Sequence, residues 1–126
     1  MEKLNNLFLS YELSLELKKL GFDEPCLGLY HGDGMFGLER TTSHNQYYGQ
    51  ICMAPLYQQV IEWLRIKYNI NIYTLYDGKN WYYQINKTDD LEYCETQFDF
   101  KIQNSPKDAY SAAFDYIFKT IVFYNL

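Results

Sequence analysis

Ile70-Asn71-Ile72-Tyr73-Thr74-Leu75-Tyr76 and Trp81-Tyr82-Tyr83-Gln84-Ile85-Asn86 are two alternating runs joined by Asp77-Gly78-Lys79-Asn80. β-Branched and aromatic side chains suit a pleated, half-buried surface. Asp-Gly supplies the turn chemistry that folds such runs back on each other, so an antiparallel hairpin is predicted. A two-residue loop would pair Ile72 with Tyr83 and Thr74 with Trp81, whereas a four-residue loop would pair Thr74 with Tyr83 and Tyr76 with Trp81. Both registers keep Ile70, Ile72, Trp81, Tyr83 and Ile85 on one face and leave Asn71, Tyr73, Leu75, Tyr82, Gln84 and Asn86 on the other. A three-residue loop would mix the faces, because strand side chains alternate with period 2.

Upstream of the hairpin, Leu56, Val60, Leu64 and Tyr68 recur at i, i+4, i+8 and i+12, with Ile61 and Trp63 beside them. That is the stripe of an amphipathic helix, with Pro55 suited to its first position and an end near Asn69. Downstream, Tyr93 to Ile102 alternates and predicts a strand with Cys94, Thr96, Phe98, Phe100 and Ile102 inward. Ser105-Pro106-Lys107-Asp108 then reads as an N-cap, a proline at N1 and an acid at N3. The helix it opens carries the stripe Tyr110, Ala113, Phe114, Ile117, Phe118 and Ile121.

In the first half of the chain, Ser10 caps a helix from Tyr11 to Leu20 with Leu13, Leu17 and Leu20 on one side, and Gly21 takes its C′ position. Cys26–His31 and Met35–Glu39 are strand candidates around Gly32-Asp33-Gly34. Thr41 to Gln46 is polar and reads as a loop, and Tyr47 to Met53 as a third strand. No repeat, low-complexity tract or linker interrupts the pattern. The expected architecture is α+β: one domain over 1–126, with a mostly antiparallel sheet of about five to six strands packed with three helices.

Composition narrows the function classes. A chain of 126 residues can bury about two thirds of its extended surface, enough for a core without metal or disulfide staples. The net charge of −5 and the scattered 11 Lys and Arg provide no basic track for a phosphate backbone, so no nucleic-acid partner is expected. No apolar run has the length of a membrane span, and Met1 to Ser10 lacks a signal peptide's apolar stretch, so no membrane is expected either. Cys26, Cys52 and Cys94 are odd in number and widely spaced, which fits reduced thiols in a cytoplasm.

Sites of chemistry are few. Cys26, His31, His44 and Cys52 have C-x4-H and H-x7-C spacing, without the short pairs that orient two metal ligands together. No metal and no cofactor are expected. A Cys52 thiol near His31 or His44, with Asp33 orienting, is the conceivable nucleophilic pair, but no glycine elbow surrounds any cysteine. No enzymatic activity is expected. His31-Gly32-Asp33-Gly34 lacks the lysine and glycine spacing of a phosphate loop and reads as a tight turn. Asp89, Asp90, Glu92, Glu95 and Asp99 form a short acidic series that could mimic a nucleic-acid backbone, and that more simply is a solvated face.

The tyrosines are the signal that remains. Aromatic residues make up 19% of the chain, with 14 Tyr. Tyr68, Tyr83 and Tyr110 fall on core stripes, whereas Tyr47 and Tyr48 follow a polar loop and Tyr73 and Tyr82 occupy the non-core hairpin face. Tyrosine buries much area with little rotamer loss and is enriched at binding hot spots. These four are the candidate binding residues. A host protein, or a second copy in a homodimer, is the expected partner. Stacking on a nucleotide-like small ligand is the alternative; that chemistry needs a cation beside the rings, for which Arg40, Arg65 and Lys79 are the candidates.

Three stretches carry a family resemblance: Leu17-Lys18-Lys19-Leu20-Gly21-Phe22-Asp23-Glu24-Pro25-Cys26, Ala54-Pro55-Leu56-Tyr57-Gln58-Gln59-Val60-Ile61-Glu62-Trp63-Leu64-Arg65, and Tyr110-Ser111-Ala112-Ala113. In these the chain resembles small uncharacterised proteins encoded by bacteriophages and related mobile elements of gut bacteria. The middle stretch is the distinctive one. The family's last helix usually carries more acidic residues than Tyr110 to Ile121 does here. The resemblance implies an accessory protein of the bacterial cytoplasm, of the kind used in takeover or counter-defence. It carries over no site residue.

Overall fold

The structure, a computed structural model, describes residues 6–44, 51–96 and 105–124, with 91–96 and 123–124 described by their backbone alone. Contacts gather into two compact units, Met1–Gln59 and Val60–Leu126. The elements in chain order are α1 (Tyr11–Lys19), β1 (Cys26–His31), β2 (Phe36–Thr41), β3 (Ile51–Ala54), α2 (Tyr57–Tyr68), β4 (Ile70–Tyr76), β5 (Trp81–Lys87), β6 (Asp90–Thr96) and α3 (Pro106–Tyr124). The class is α+β, with antiparallel pairing throughout the described strands. The single sheet expected from the sequence is instead two three-stranded sheets, ordered β2-β1-β3 and β4-β5-β6. No helix among the described residues is long and apolar enough to cross a membrane.

In the first unit, α1 starts where Ser10 accepts the Leu13 amide on its hydroxyl. It ends in a Schellman motif: the Phe22 amide reaches back to the Leu17 carbonyl at 3.3 Å and the Gly21 amide to Lys18 at 3.1 Å. Gly21 has φ +95, a conformation that costs little only without a Cβ. The motif folds Phe22 back toward the helix, and Phe22 and Leu17 are both fully buried. α1 packs on β3. Between them Phe8, Tyr30, Cys52 and Ala54 form a cluster ringed by Tyr11, Leu15, Phe36 and Leu56. The Tyr30 ring lies 5.3 Å from Tyr11 and 5.6 Å from Phe36. Its hydroxyl donates to the Leu9 carbonyl at 2.6 Å, so the buried polar tip is satisfied.

β2 runs from Phe36 to Thr41, later than the Met35–Glu39 expected. The shift comes from a bulge: Gly28 pairs with Leu38 but Cys26 with Thr41, so Glu39 and Arg40 together face Leu27. The extra residue carries Thr41 back to the strand, where its hydroxyl lies 3.4 Å from the carbonyls of Cys26 and Gly28. β3 is Ile51–Ala54, one residue past the expected end at Met53; the expected start, Tyr47 to Gln50, lies outside the described residues.

The sheet ends at β3 for a chemical reason. On its outer edge the Ile51 carbonyl accepts from Lys18 Nζ at 3.3 Å and the Met53 amide donates to His44 Nδ1 at 3.1 Å. Just beyond, the Pro55 carbonyl accepts from the Leu9 amide at 2.8 Å, and Phe8 bridges to Leu56. Side chains and a short bridge thus take the groups another strand would need. The same bridge holds Pro55 in extended chain, so α2 begins two residues after it and not at it.

In the second unit, Val60, Trp63 and Leu64 are the buried face of α2. Lys67 Nζ lies 4.9 Å over the Trp63 ring. The helix closes on Asn69 at φ 59. The hairpin follows in the four-residue-loop register, with Thr74 opposite Tyr83 and Tyr76 opposite Trp81. Asp77 organises the turn: its Oδ1 accepts the amides of Lys79 at 2.9 Å and Asn80 at 2.8 Å. Those bonds to the charged form hold its carboxyl below the usual value.

β6 is Asp90–Thr96, earlier than the Tyr93–Ile102 expected, and residues 97–104 lie outside the described residues. A register shift between Asn86 and Lys87 sets Glu95, not Cys94, opposite Ile85. Ser105 caps α3 by accepting the Asp108 amide at 3.1 Å. The helix packs on β4 and β5, with Ala109, Ala113, Phe114, Ile117, Phe118 and Ile121 buried. Burial of each large side chain here contributes roughly 1.5–3 kcal/mol.

Candidate functional site

α3 covers one face of the hairpin, and that decides which tyrosines remain accessible. Ile70, Ile72, Tyr83 and Ile85 are buried on the α3 side, where the Tyr83 ring lies 6.4 Å from that of Tyr116. Tyr73 and Tyr82 alternate with these residues and face away from α3. Tyr73 is 47% exposed, and Tyr82, opposite Leu75, is half-buried like it. At the turn end the covered face also opens. Tyr76 is 57% exposed and its ring lies 5.1 Å from that of a half-buried Trp81, tilted by 39°. The distal end of the hairpin therefore presents Tyr73, Leu75, Tyr76, Trp81 and Tyr82, on both faces, around the Asp77–Asn80 turn.

One polar group on the outer face is unsatisfied. Asn86 Oδ1 is buried without a hydrogen-bond partner among the described residues, at a typical cost of about 1–3 kcal/mol. It lies opposite Asn71, at the far end of the face from Tyr82.

Tyr47 and Tyr48 lie outside the described residues. Arg65 is exposed on α2 and bonded to Glu62 at 2.7 Å; Arg40 is exposed in the β2 bulge of the first unit. Of the three cations proposed to serve stacked tyrosines, Lys79 is the one the hairpin itself carries, in its turn.

The first unit holds a cleft that was not anticipated. Tyr11, Leu15 and Lys18 of α1 line it, with His31 and Gly32 at the end of β1 and Ile51 and Cys52 of β3; its volume is about 270 Å³. Tyr11, Leu15 and Lys18 follow each other at i, i+4 and i+7, a second stripe beside the leucine one, and that spacing was the available signal. The cleft brings Cys52 and His31 to one place without making a catalytic pair of them. Tyr30 pairs with Cys52 and His31 with Ile51, so the thiol and the imidazole leave opposite faces of the sheet. The imidazole instead lies over β2, its Nε2 3.5 Å from where a Cβ on Gly37 would stand.

Burial pushes the Cys52 thiol up to about 11 and the Cys26 thiol to about 12. Both stay protonated at neutral pH, and the thiolate is the nucleophilic form. His44 is likewise committed to structure, bonded to the Met53 amide through Nδ1 and 2.7 Å from the Phe22 carbonyl through Nε2. Among the described residues no group of three or more His, Cys, Asp or Glu could hold a metal ion. His31-Gly32-Asp33-Gly34 is a turn closed on itself: the Gly34 amide bonds the His31 carbonyl at 2.8 Å, and Asp33 Oδ1 accepts the Met35 amide at 3.0 Å.

No family model matches the chain, and neither a curated protein nor a solved structure matches it.

Proposed function

We propose that this protein is a non-enzymatic binding module that docks a partner protein on the aromatic end of the β4–β5 hairpin. The observation that carries the reading is the exposure of Tyr73 and Tyr76 beside the half-buried Leu75, Trp81 and Tyr82 at the turn end of the hairpin. None of the five is charged. Interface cores are depleted of charge and enriched in tyrosine and tryptophan, because these rings bury large areas at small entropic cost. The partner is a host protein of the bacterial cytoplasm, and the same patch supports association of two copies. The phage-family resemblance of Leu17–Cys26, Ala54–Arg65 and Tyr110–Ala113 favours an accessory or counter-defence role.

Light scattering on the purified chain, with a pull-down from bacterial lysate, tests the reading against a Tyr73→Ala/Tyr82→Ala variant. The expected result is a partner or a dimer that the variant loses while its circular dichroism is unchanged. A strict monomer that retains nothing, or a partner held equally by the variant, overturns it. Nucleotide-induced thermal stabilisation lost in the same variant would reassign the face to a small ligand.

A further inference from the structure

We infer that the cleft of the first unit is a binding site for a small organic anion with an apolar or aromatic body, its charge taken by Lys18. The first observation is the charge inventory. Of the seven lining residues, Tyr11, Leu15, Lys18, His31, Gly32, Ile51 and Cys52, none is acidic. Lys18 is half-buried, donates to the Ile51 carbonyl at 3.3 Å, and has no carboxylate within ion-pair distance among the described residues. Its neighbour Lys19 on the outer side of α1 is paired with Glu16 at 3.4 Å. One carbonyl leaves two of the ammonium's three donors for a ligand. An unneutralised ammonium beside apolar walls is where an anion gains most, because the local dielectric is below that of water.

The second observation is shape. The walls are the Tyr11 ring, Leu15 and Cys52, all apolar surfaces, with the Ile51 carbonyl at the Lys18 end. The Tyr11 ring also carries the turn, lying 3.2 Å from the position a Cβ on Gly34 would take, and its hydroxyl reaches the Gly32 carbonyl at 3.4 Å. Helix and turn are therefore braced against each other across the cleft, which limits the ordering a ligand must impose. About 270 Å³ is below the roughly 300–1,000 Å³ of drug-sized sites. The ligand is accordingly of the size of a single-ring carboxylate.

The probes are phenylacetate and benzoate, with phenylacetamide and benzamide as uncharged counterparts of the same shape. Titration is followed by amide chemical shifts on the full chain. The acids are expected to shift Tyr11, Lys18, Gly32 and Cys52 and to bind at least tenfold tighter than the amides. Lys18→Met should erase that difference, and Lys19→Met, on the exposed side of the same helix, should keep it. If Lys18→Met fails to fold, the acid-against-amide comparison on the unmodified chain decides alone. Equal binding of acid and amide, shifts elsewhere in the chain, or no shifts at millimolar probe overturn the inference.

Discussion

His44 closes the outer edge of β3 by accepting the Met53 amide on Nδ1 at 3.1 Å. The bond requires that nitrogen to be unprotonated, and the opposite contact from Nε2 to the Phe22 carbonyl at 2.7 Å requires the Nε2–H tautomer. A neutral imidazole is thus built into the first unit, with the Met53 amide satisfied only while it stays neutral.

The pH dependence of stability follows. Burial, opposed by the Phe22 contact and reinforced by the Lys18 charge, holds His44 below its usual value of 6.5. Between that value and the lower folded-state one, the unfolded chain binds a proton that the folded chain refuses. Stability from this group is full above pH 6.5, is lost as pH falls through that window, and levels off once both states are protonated. Urea midpoints measured from pH 8 to pH 5 should fall, and His44→Ala should remove that part of the slope. The variant should also lose about 1–3 kcal/mol at pH 8 from the orphaned Met53 amide.

Gly34 and Gly78 separate two costs of a Cβ. Both are in the left-handed region, at φ +87 and φ +99, but a Cβ on Gly34 would meet the Tyr11 ring at 3.2 Å and one on Gly78 would meet nothing. Gly78→Ala should cost the conformational term alone, about 1–2 kcal/mol. Gly34→Ala should cost more, because the ring must also give. Thermal unfolding of the two variants orders them; equal losses would show that Tyr11 does not brace the turn.

Asn86→Val is expected to stabilise the second unit. It removes a buried acceptor that has no partner among the described residues and places a β-branched residue on a paired strand position. The gain should be about 1 kcal/mol, read as a rise in the urea midpoint without a change in slope.

Cys26 and Cys52 should alkylate slowly at pH 8 in the folded chain, since their thiols are pushed up to about 12 and about 11. Iodoacetamide labelling mapped by peptide mass should show both rising steeply in urea. Prompt labelling of Cys52 in the native chain would place its thiol outside the environment described.

Much of the local structure was legible. Ser10 and Ser105 as caps, Gly21 as helix terminator, the Val60–Leu64 stripe and the hairpin are short-range chemistry, and each occurs where the residues call for it. Pro55 misled, because its preference for a first helical turn yields to the bridge between Phe8 and Leu56, residues 48 positions apart in the chain (56 minus 8). The bulge at Glu39 and Arg40 was equally hidden, since nothing local marks an extra residue in β2. Of the binding tyrosines, the face of Tyr73 and Tyr82 was readable from alternation alone. Its exposure was not.

The sequence by itself determined the secondary elements, the two faces of the hairpin and the tyrosines that alternate away from its core, because these depend on periods of 2 and 3.6 residues along the chain. The tertiary structure decided the rest. It divided the strands into two sheets, and it closed the outer edge of β3 with Lys18 and His44. It chose the four-residue register from the two that the pattern allowed. It also gathered Tyr11, Lys18, His31 and Cys52 around one cleft. Edge capping and cleft lining join residues far apart in the chain, and no local pattern encodes which distant side chain will arrive.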